Sequence, residues 1–382
     1  MATVRLRDLT AAMDSLYDPA NAAEWDQVGL VCGDPDAVVE RVLLAVDPAA
    51  PVVDEALDWG AGLLITHHPL FLHARPSAAA TTWRGRLVHR LVSGGCALLV
   101  AHTNADVARP GVSDALAEVL GVDPESTQPL RPGPGAALDL LTVYVPRDER
   151  DRLVSALAAA GAGRLGDYER AAFFADGTGT FRPLPGARPA IGSVGAVEEV
   201  PEALVQMIVP ADRHEDVVRA LRATHPYEEP AFTVVAALPE PGTTGLGRVG
   251  ELREATTVAG LARRAAQALG VGPEGVRAAG APERTVRRVA VVGGAGDSEL
   301  DLVRSSGVDA YVTADLRHHP ALDAMSAEGP ALLDVGHWAS EHPWLGQAAR
   351  LLGDALGPAA SVETRVSTVR TSPWTVLEGS QP

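Results

Sequence analysis

The stretch Leu63-Leu64-Ile65-Thr66-His67-His68-Pro69 decides how this chain is read. Its first half is a short apolar run closed by a proline, the pattern of a buried strand. Adjacent side chains on a strand point to opposite faces. Where the strand ends and the chain turns, both imidazoles can instead converge on one point. Open α/β sheets bind ligands beyond the carboxyl ends of their strands, so paired imidazoles there point to a metal or acid–base site. Taken alone, the pair reads equally as two turn histidines. The rest of the chain weighs against that.

The arrangement recurs twice. The apolar run Cys96–Ala101 delivers His102-Thr103-Asn104-Ala105-Asp106, and Ala331–Val335 delivers Gly336-His337-Trp338-Ala339-Ser340-Glu341. His337 and Glu341 stand four apart, which on a helix places both on one face. His102 and Asp106 share that spacing. Together His67, His68, Asp106, His337 and Glu341 offer mixed nitrogen and oxygen donors, a set suited to zinc, iron(II) or manganese.

Composition narrows the field. A chain of 382 residues, 46% of them hydrophobic, predicts two or three domains. It has no apolar run near the roughly 18 residues of a membrane span, and Met1–Arg5 opens no signal-peptide pattern. Cys32 and Cys96 form no CxxC and suit small core positions, so a cytoplasmic setting is expected. The net charge of −17 and the lack of a basic run argue against a nucleic-acid partner. All 32 basic residues are arginine. A lysine Schiff base and a P-loop lysine are therefore excluded.

To about residue 130 the pattern alternates strand and helix: strands at Val42–Val46, Leu63–Thr66 and Ala97, helices at Val52–Trp59, Leu87–Val92 and Ser113–Leu120, with Ser113 a possible N-cap. Such alternation predicts a mainly parallel sheet covered by helices. The Pro/Gly-rich segments Gln128–Ala137 and Pro239–Gly247 read as linkers. Between them come a strand at Leu138–Val145, a helix at Asp148–Ala160, two short strands in Ala171–Arg182, a strand at Leu204–Val209, a helix at Glu215–Ala223 and a strand at Ala231–Leu238. That order is ferredoxin-like. Alternation then resumes, with helices at Val258–Leu269, Ser298–Ser305, Ala321–Ala327 and from Trp338, and strands at Val286–Val292, Ala310–Thr313 and Leu332. The tail from about Thr371 is expected to fray. The fold class is thus α/β: two interleaved α/β halves, 1–130 and 245–370, forming one metal-binding core, with an inserted α+β domain at 137–239.

Several motifs carry a family resemblance. They are Trp25-Asp26-Gln27-Val28-Gly29-Leu30, Thr66-His67-His68-Pro69-Leu70, His102–Asp106, Gly245-Leu246-Gly247-Arg248-Val249-Gly250, Thr313-Ala314-Asp315-Leu316-Arg317-His318-His319, and Gly336-His337 with Glu341. In this order the chain resembles the NGG-interacting-factor-three-like family, widely called GTP cyclohydrolase I type 2 homologues. His225-Pro226-Tyr227-Glu228-Glu229-Pro230-Ala231 resembles the PII/CutA-like insert of its longer members. Ala314 and Gln27 stand where the family commonly has glycine and asparagine.

The resemblance implies a homohexameric ring and two divalent metal ions on His67, His68, Asp106, His337 and Glu341, one carboxylate bridging. Two such ions about 3.5–4 Å apart would activate a bridging water toward hydroxide. The expected function is a metal-dependent hydrolase of a small nucleotide-like or heterocyclic molecule, as in opening of the GTP imidazole ring, with a histidine such as His102 or His318 as proton donor. His102 also suits a partner behind Asp106, and His318 and His319 also suit loop positions. The glycine loop 293–298 reads as a strand-to-helix turn, Arg109 and Arg317 as surface residues or phosphate contacts, and Tyr227–Glu229 as a solvated loop. The alternative from another class is a non-catalytic metal-binding protein, a metallochaperone or a regulatory scaffold with a sensing insert.

Overall fold

Both faces of Leu63–Thr66 are buried, as the uninterrupted apolar run requires. The computed structural model describes residues 3–376 and 378, except 76, 136, 239 and 327. By internal packing the chain forms two units, one from Met1–Gly133 with Thr243–Pro382, the other from Pro134–Gly242.

In chain order the first unit begins with α1 (Leu6–Leu16), β1 (Gly29–Cys32), β2 (Arg41–Ala45), α2 (Ala50–Trp59), β3 (Leu63–Thr66), α3 (Trp83–Ser93), β4 (Ala97–Val100), α4 (Thr103–Val107), α5 (Val112–Val119) and β5 (Gln128–Pro134). The second unit holds β6 (Leu138–Pro146), α6 (Arg150–Ala159), β7 (Ala172–Phe181), β8 (Glu198–Pro210), α7 (His214–Thr224) and β9 (Phe232–Ala236). The chain continues with β10 (Pro241–Thr257), α8 (Val258–Ala268), β11 (Arg277–Ala279), β12 (Thr285–Ala295), α9 (Leu300–Ser305), β13 (Ala310–Ala314), α10 (His318–Ser326), β14 (Ala331–Asp334), α11 (His337–Leu356) and β15 (Glu363–Val366).

Three sheets result. The first runs β1-β4-β3-β2-β15, parallel except for β1 against β4. Alternate residues of its strands go to opposite cores. Val42, Leu44, Leu63 and Ile65 pack with α1 and with Trp344, Leu345 and Ala348 of α11. Leu43, Ala45 and Leu64 pack with residues of α2 and α3. The second sheet runs β11-β14-β13-β12-β10-β5, with β12, β13 and β14 parallel and β10 antiparallel to β12. Its two faces bury Val289 and Val291 against α5 and α8, and Ala290 and Val292 against residues of α9 and α10. The third sheet, β7-β8-β6-β9, is antiparallel throughout and carries α6 and α7 on one face.

Several expectations need correction. The linker of residues 128–137 is in large part a strand, β5, and the breaker-rich segment from 239 lies mostly in the 17-residue β10. Prolines are compatible with pairing in β5 because it is a sheet edge, where an absent N–H costs no ladder bond. Residues Ala136 and Pro239 lie outside the described residues. Ala171–Arg182 is one strand rather than two, since Asp176 and Gly177 stay paired with Ala203 and Glu202 of β8. Gly111, not Ser113, caps α5, its N–H donating to Asp114 Oδ2 at 2.7 Å. His318 and His319 open α10 instead of lying in a loop; Ala327, its expected last residue, is outside the described residues. Thr371 and Ser372 do not fray, bonding to Asp47 and Glu274. No helix among the described residues is long and apolar enough to cross a membrane.

Candidate metal centre

His67 and His68 follow β3 without leaving the pairing direction, their N–H groups donating to Ala45 and Val46 carbonyls at 3.2 and 2.8 Å. The rings nonetheless converge, with centroids 5.1 Å apart. Each is clamped from behind. His67 Nδ1 donates to the Ala101 carbonyl at 2.9 Å, and His68 Nδ1 meets Asp47 Oδ1 at 2.7 Å. His102 Nδ1 bonds Asp26 Oδ1 at 2.9 Å, and His337 Nδ1 bonds Asp315 Oδ2 at 2.6 Å. Four rings are thereby fixed at Nδ1, leaving Nε2 for a common partner, the way metal-ligating histidines are held.

Glu341 lies among them, only 3% exposed. Its Oε1 sits 3.5 Å from His67 Nε2 and 3.0 Å from His337 Nε2, and its Oε2 sits 3.2 Å from His68 Nε2. Asp106 Oδ1 stands 3.6 Å from His67 Nε2. Two sets, His67 with His68 and His102, and His68 with His337 and Glu341, each bring donor atoms close enough to hold a metal ion. His67 Nε2 is buried without a hydrogen-bond partner. A buried orphan of this kind costs free energy unless something binds it, so the donor set fits a cation.

Electrostatics agree. Burial opposes charge on every ring, yet the Glu341 carboxylate raises His67, raises His68 well above the ordinary histidine range, and with Asp315 lifts His337 to about 10. Burial likewise opposes the Glu341 charge, but the three imidazoles hold it well below the usual carboxylate range. Burial pushes Asp106 up to about 6. His102 differs: burial, then His67, press it down to about 4, so it is neutral at pH 7. Protons on His68 and His337 must leave before Nε2 can coordinate a metal. Zinc binding at pH 7.5 is therefore expected to release more than one proton per chain and to tighten as pH rises. Calorimetry in buffers of different ionisation enthalpy reads that number, and a zero slope would refute the charge assignment.

The remaining motif residues build the frame. Asp26 Oδ2 accepts from Thr103 N and Oγ1 at 3.0 and 2.5 Å, while Asn104 joins His102 N to the Tyr17 carbonyl. Trp25 sets its exposed ring edge-on to His102 at 5.9 Å. Glycine 336 takes φ +82 to turn β14 into α11. The glycine loop is not a plain turn: Gly294, at φ +70, lies so near the donors that a Cβ would stand 2.5 Å from Glu341 Oε1. Asp47, behind His68, is a site residue that the strand-end pattern could have revealed, since it directly follows Val42–Val46. Asp47→Asn is expected to weaken metal affinity about 10–100-fold, as loss of an outer partner does; competition with a chromophoric chelator measures it.

His318 is placed elsewhere. It lines a cavity with Arg277, Leu316, Arg317 and Leu322, whereas His68, His102 and His337 line another of about 590 Å³, with Leu72, Trp83 and Arg84 in its wall. Arg109 donates to Thr127 and Arg317 pairs with Asp297.

Doubly covered sheets presenting a histidine–carboxylate cluster at their strand ends define an α/β protein equipped to bind metal. The family model described as Duf34/NIF3 (NGG1p interacting factor 3) matches residues 4–373, and the chain belongs to that family. A relative from Mycobacterium tuberculosis named GTP cyclohydrolase 1 type 2 homolog is 50% identical over 97% of each chain. One of that name from Bacillus subtilis is 36% identical over 94% of this chain and 95% of its own. Among solved structures, a Bacillus cereus protein related to NIF3 superposes with TM-score 0.74 at 33% identity, and Staphylococcus aureus protein SA1388 with 0.83 at 26%; each match covers 99% of this chain and 100% of theirs.

Proposed function

We propose that the chain is a hydrolase of a small nucleotide-like or heterocyclic substrate, dependent on two divalent ions, zinc, iron or manganese, held by His67, His68, Asp106, His337 and Glu341. The observation that carries this reading is the convergence of four imidazoles, each fixed at Nδ1, with three of them within 3.5 Å of one buried carboxylate, beside a cavity of about 590 Å³. When bound, such ions supply Lewis-acid activation of water and of the substrate's electrophilic centre. The protein's own groups do the rest. His102, neutral and steadied by Asp26, takes a proton from the attacking water at Nε2 and returns it to the leaving nitrogen or oxygen. Trp83 and Arg84 offer an apolar face and a cation to the substrate's remote end. His318 has no part in this step.

The relatives' shared name suggests GTP ring opening with loss of formate. The unit of residues 134–242 we read as an inserted ferredoxin-like domain, supported by its order β-α-β-β-α-β and its sheet order β7-β8-β6-β9. A cytoplasmic homohexameric ring rests on family membership and is checked by native mass spectrometry. The decisive experiment loads the protein with each metal in turn and screens GTP, other nucleotides, cyclic amides and phosphoesters. Turnover is expected, and His102→Gln should lower kcat at least about a hundredfold, with metal content measured alongside to separate proton transfer from metal binding. No turnover with any metal would reject catalysis and leave a metal-binding scaffold.

A further inference from the structure

On β8, Ala203, Val205 and Met207 face the α6/α7 core, so Glu202 and Leu204 face the opposite side of the sheet. Tyr144 of β6 and Ala175 of β7 stand opposite Leu204 in register, and Gly177 stands opposite Glu202. This second face is no solvated surface. It floors a cavity of about 670 Å³, walled by Phe181, Pro183, Pro189 and the loop Tyr227–Glu229.

Glu202 is only 8% exposed. Its Oε1 accepts a hydrogen bond from the Tyr227 hydroxyl at 2.9 Å, and among the described residues no arginine or histidine pairs with it. A buried carboxylate ordinarily has a cationic partner. Gly179 packs so close that any Cβ would collide with this carboxylate; the strand makes room for it. Tyr227 is itself held, its N–H donating to His225 Nδ1 at 3.0 Å and its ring edge-on to Phe181 at 5.4 Å. His225 Nε2 in turn donates to the Tyr144 carbonyl at 2.9 Å. The remaining charged lining is Asp176, paired with Arg147 at 2.8 Å, together with Glu228 and Glu229. Among the described residues no basic side chain lines the cavity.

We infer that this unit carries a binding site of its own for a small organic cation, an amine or quaternary ammonium with an apolar body, with Glu202 as counter-charge. The ammonium sits at Glu202 and over the Tyr227 ring, where carboxylate and π-face both favour it. The body lies on Tyr144, Leu204 and Phe181. Among the described residues the only charged side chains an anionic ligand would meet there are acidic. A bare metal ion would find no convergent donor set here, for the clusters of metal-ligating groups found among the described residues lie in the other unit.

Titration calorimetry on the full-length protein tests this independently of any hydrolase activity, using phenethylamine, benzyltrimethylammonium and the neutral isostere 2-phenylethanol. Both cations are expected to bind at least tenfold tighter than the alcohol. Glu202→Gln, which keeps an acceptor for Tyr227, should remove that preference while leaving metal content unchanged. Should that variant unfold, Tyr144→Ala, which truncates a half-exposed wall residue, should weaken the cations by a similar factor. Equal binding of cation and alcohol, no binding at roughly millimolar concentration, or a cation preference that survives both substitutions overturns the proposal.

Discussion

Glu341→Gln is expected to leave the protein unable to retain divalent metal through dialysis, with affinity down by more than about a thousandfold and hydrolysis abolished. Loss of an outer partner costs about 10–100-fold. Glu341 does more, because its two oxygens lie within 3.5 Å of three separate imidazole Nε2 atoms. Its charge is also what raises His67, His68 and His337 against burial. With glutamine there, all three rings should titrate at lower pH in the metal-free protein. Metal stoichiometry by plasma mass spectrometry, with nitrogen-15 titration of the rings, checks both halves. Metal content equal to wild type would remove Glu341 from the site.

The second large effect concerns Arg248, whose guanidinium is fully buried. It donates to Asp114 at 2.8 and 2.7 Å and to the Gly245 and Gly247 carbonyls at 2.7 Å, and it also reaches the Ala108 carbonyl. Arg248→Met should cost about 3–5 kcal/mol, because it strands a carboxylate and three carbonyls. The same Asp114 accepts the N–H of Gly111, the cap of α5, just after the α4 segment carrying Asp106, so the variant should also bind metal more weakly. Removing both partners, Arg248→Met with Asp114→Asn, should recover part of the loss in a double-mutant cycle. A urea midpoint unmoved by Arg248→Met would show that the network stabilises nothing.

Much of this site was legible because buried parallel strands must be continuously apolar, so the polar residues that end them stand out. Leu63–Ile65 before His67 and Leu332–Leu333 before His337 are such cases. The i, i+4 spacing of His337 and Glu341 was equally open, since α11 begins at His337 itself. The pairing of the clamps with their rings was not. Asp47 and Asp315 are two of 49 acidic residues, and nothing local marks which carboxylate will meet which ring. Nor could proline content separate a linker from β5, because edge position is a property of the whole sheet. His318 misled for a related reason: a histidine just past a strand looks the same whether the next helix carries it toward the cluster or toward another cavity.

The pairing of β15 with β2 gives the molecule a timetable. The first sheet is closed by Glu363–Val366, and His337 meets His68 across 269 residues of chain. At about 5–20 residues per second of synthesis, a nascent chain presents His67 and His68 for tens of seconds before Glu341 exists to join them. Closure of the first sheet and completion of the His68, His337 and Glu341 set therefore both wait for the last part of the polypeptide.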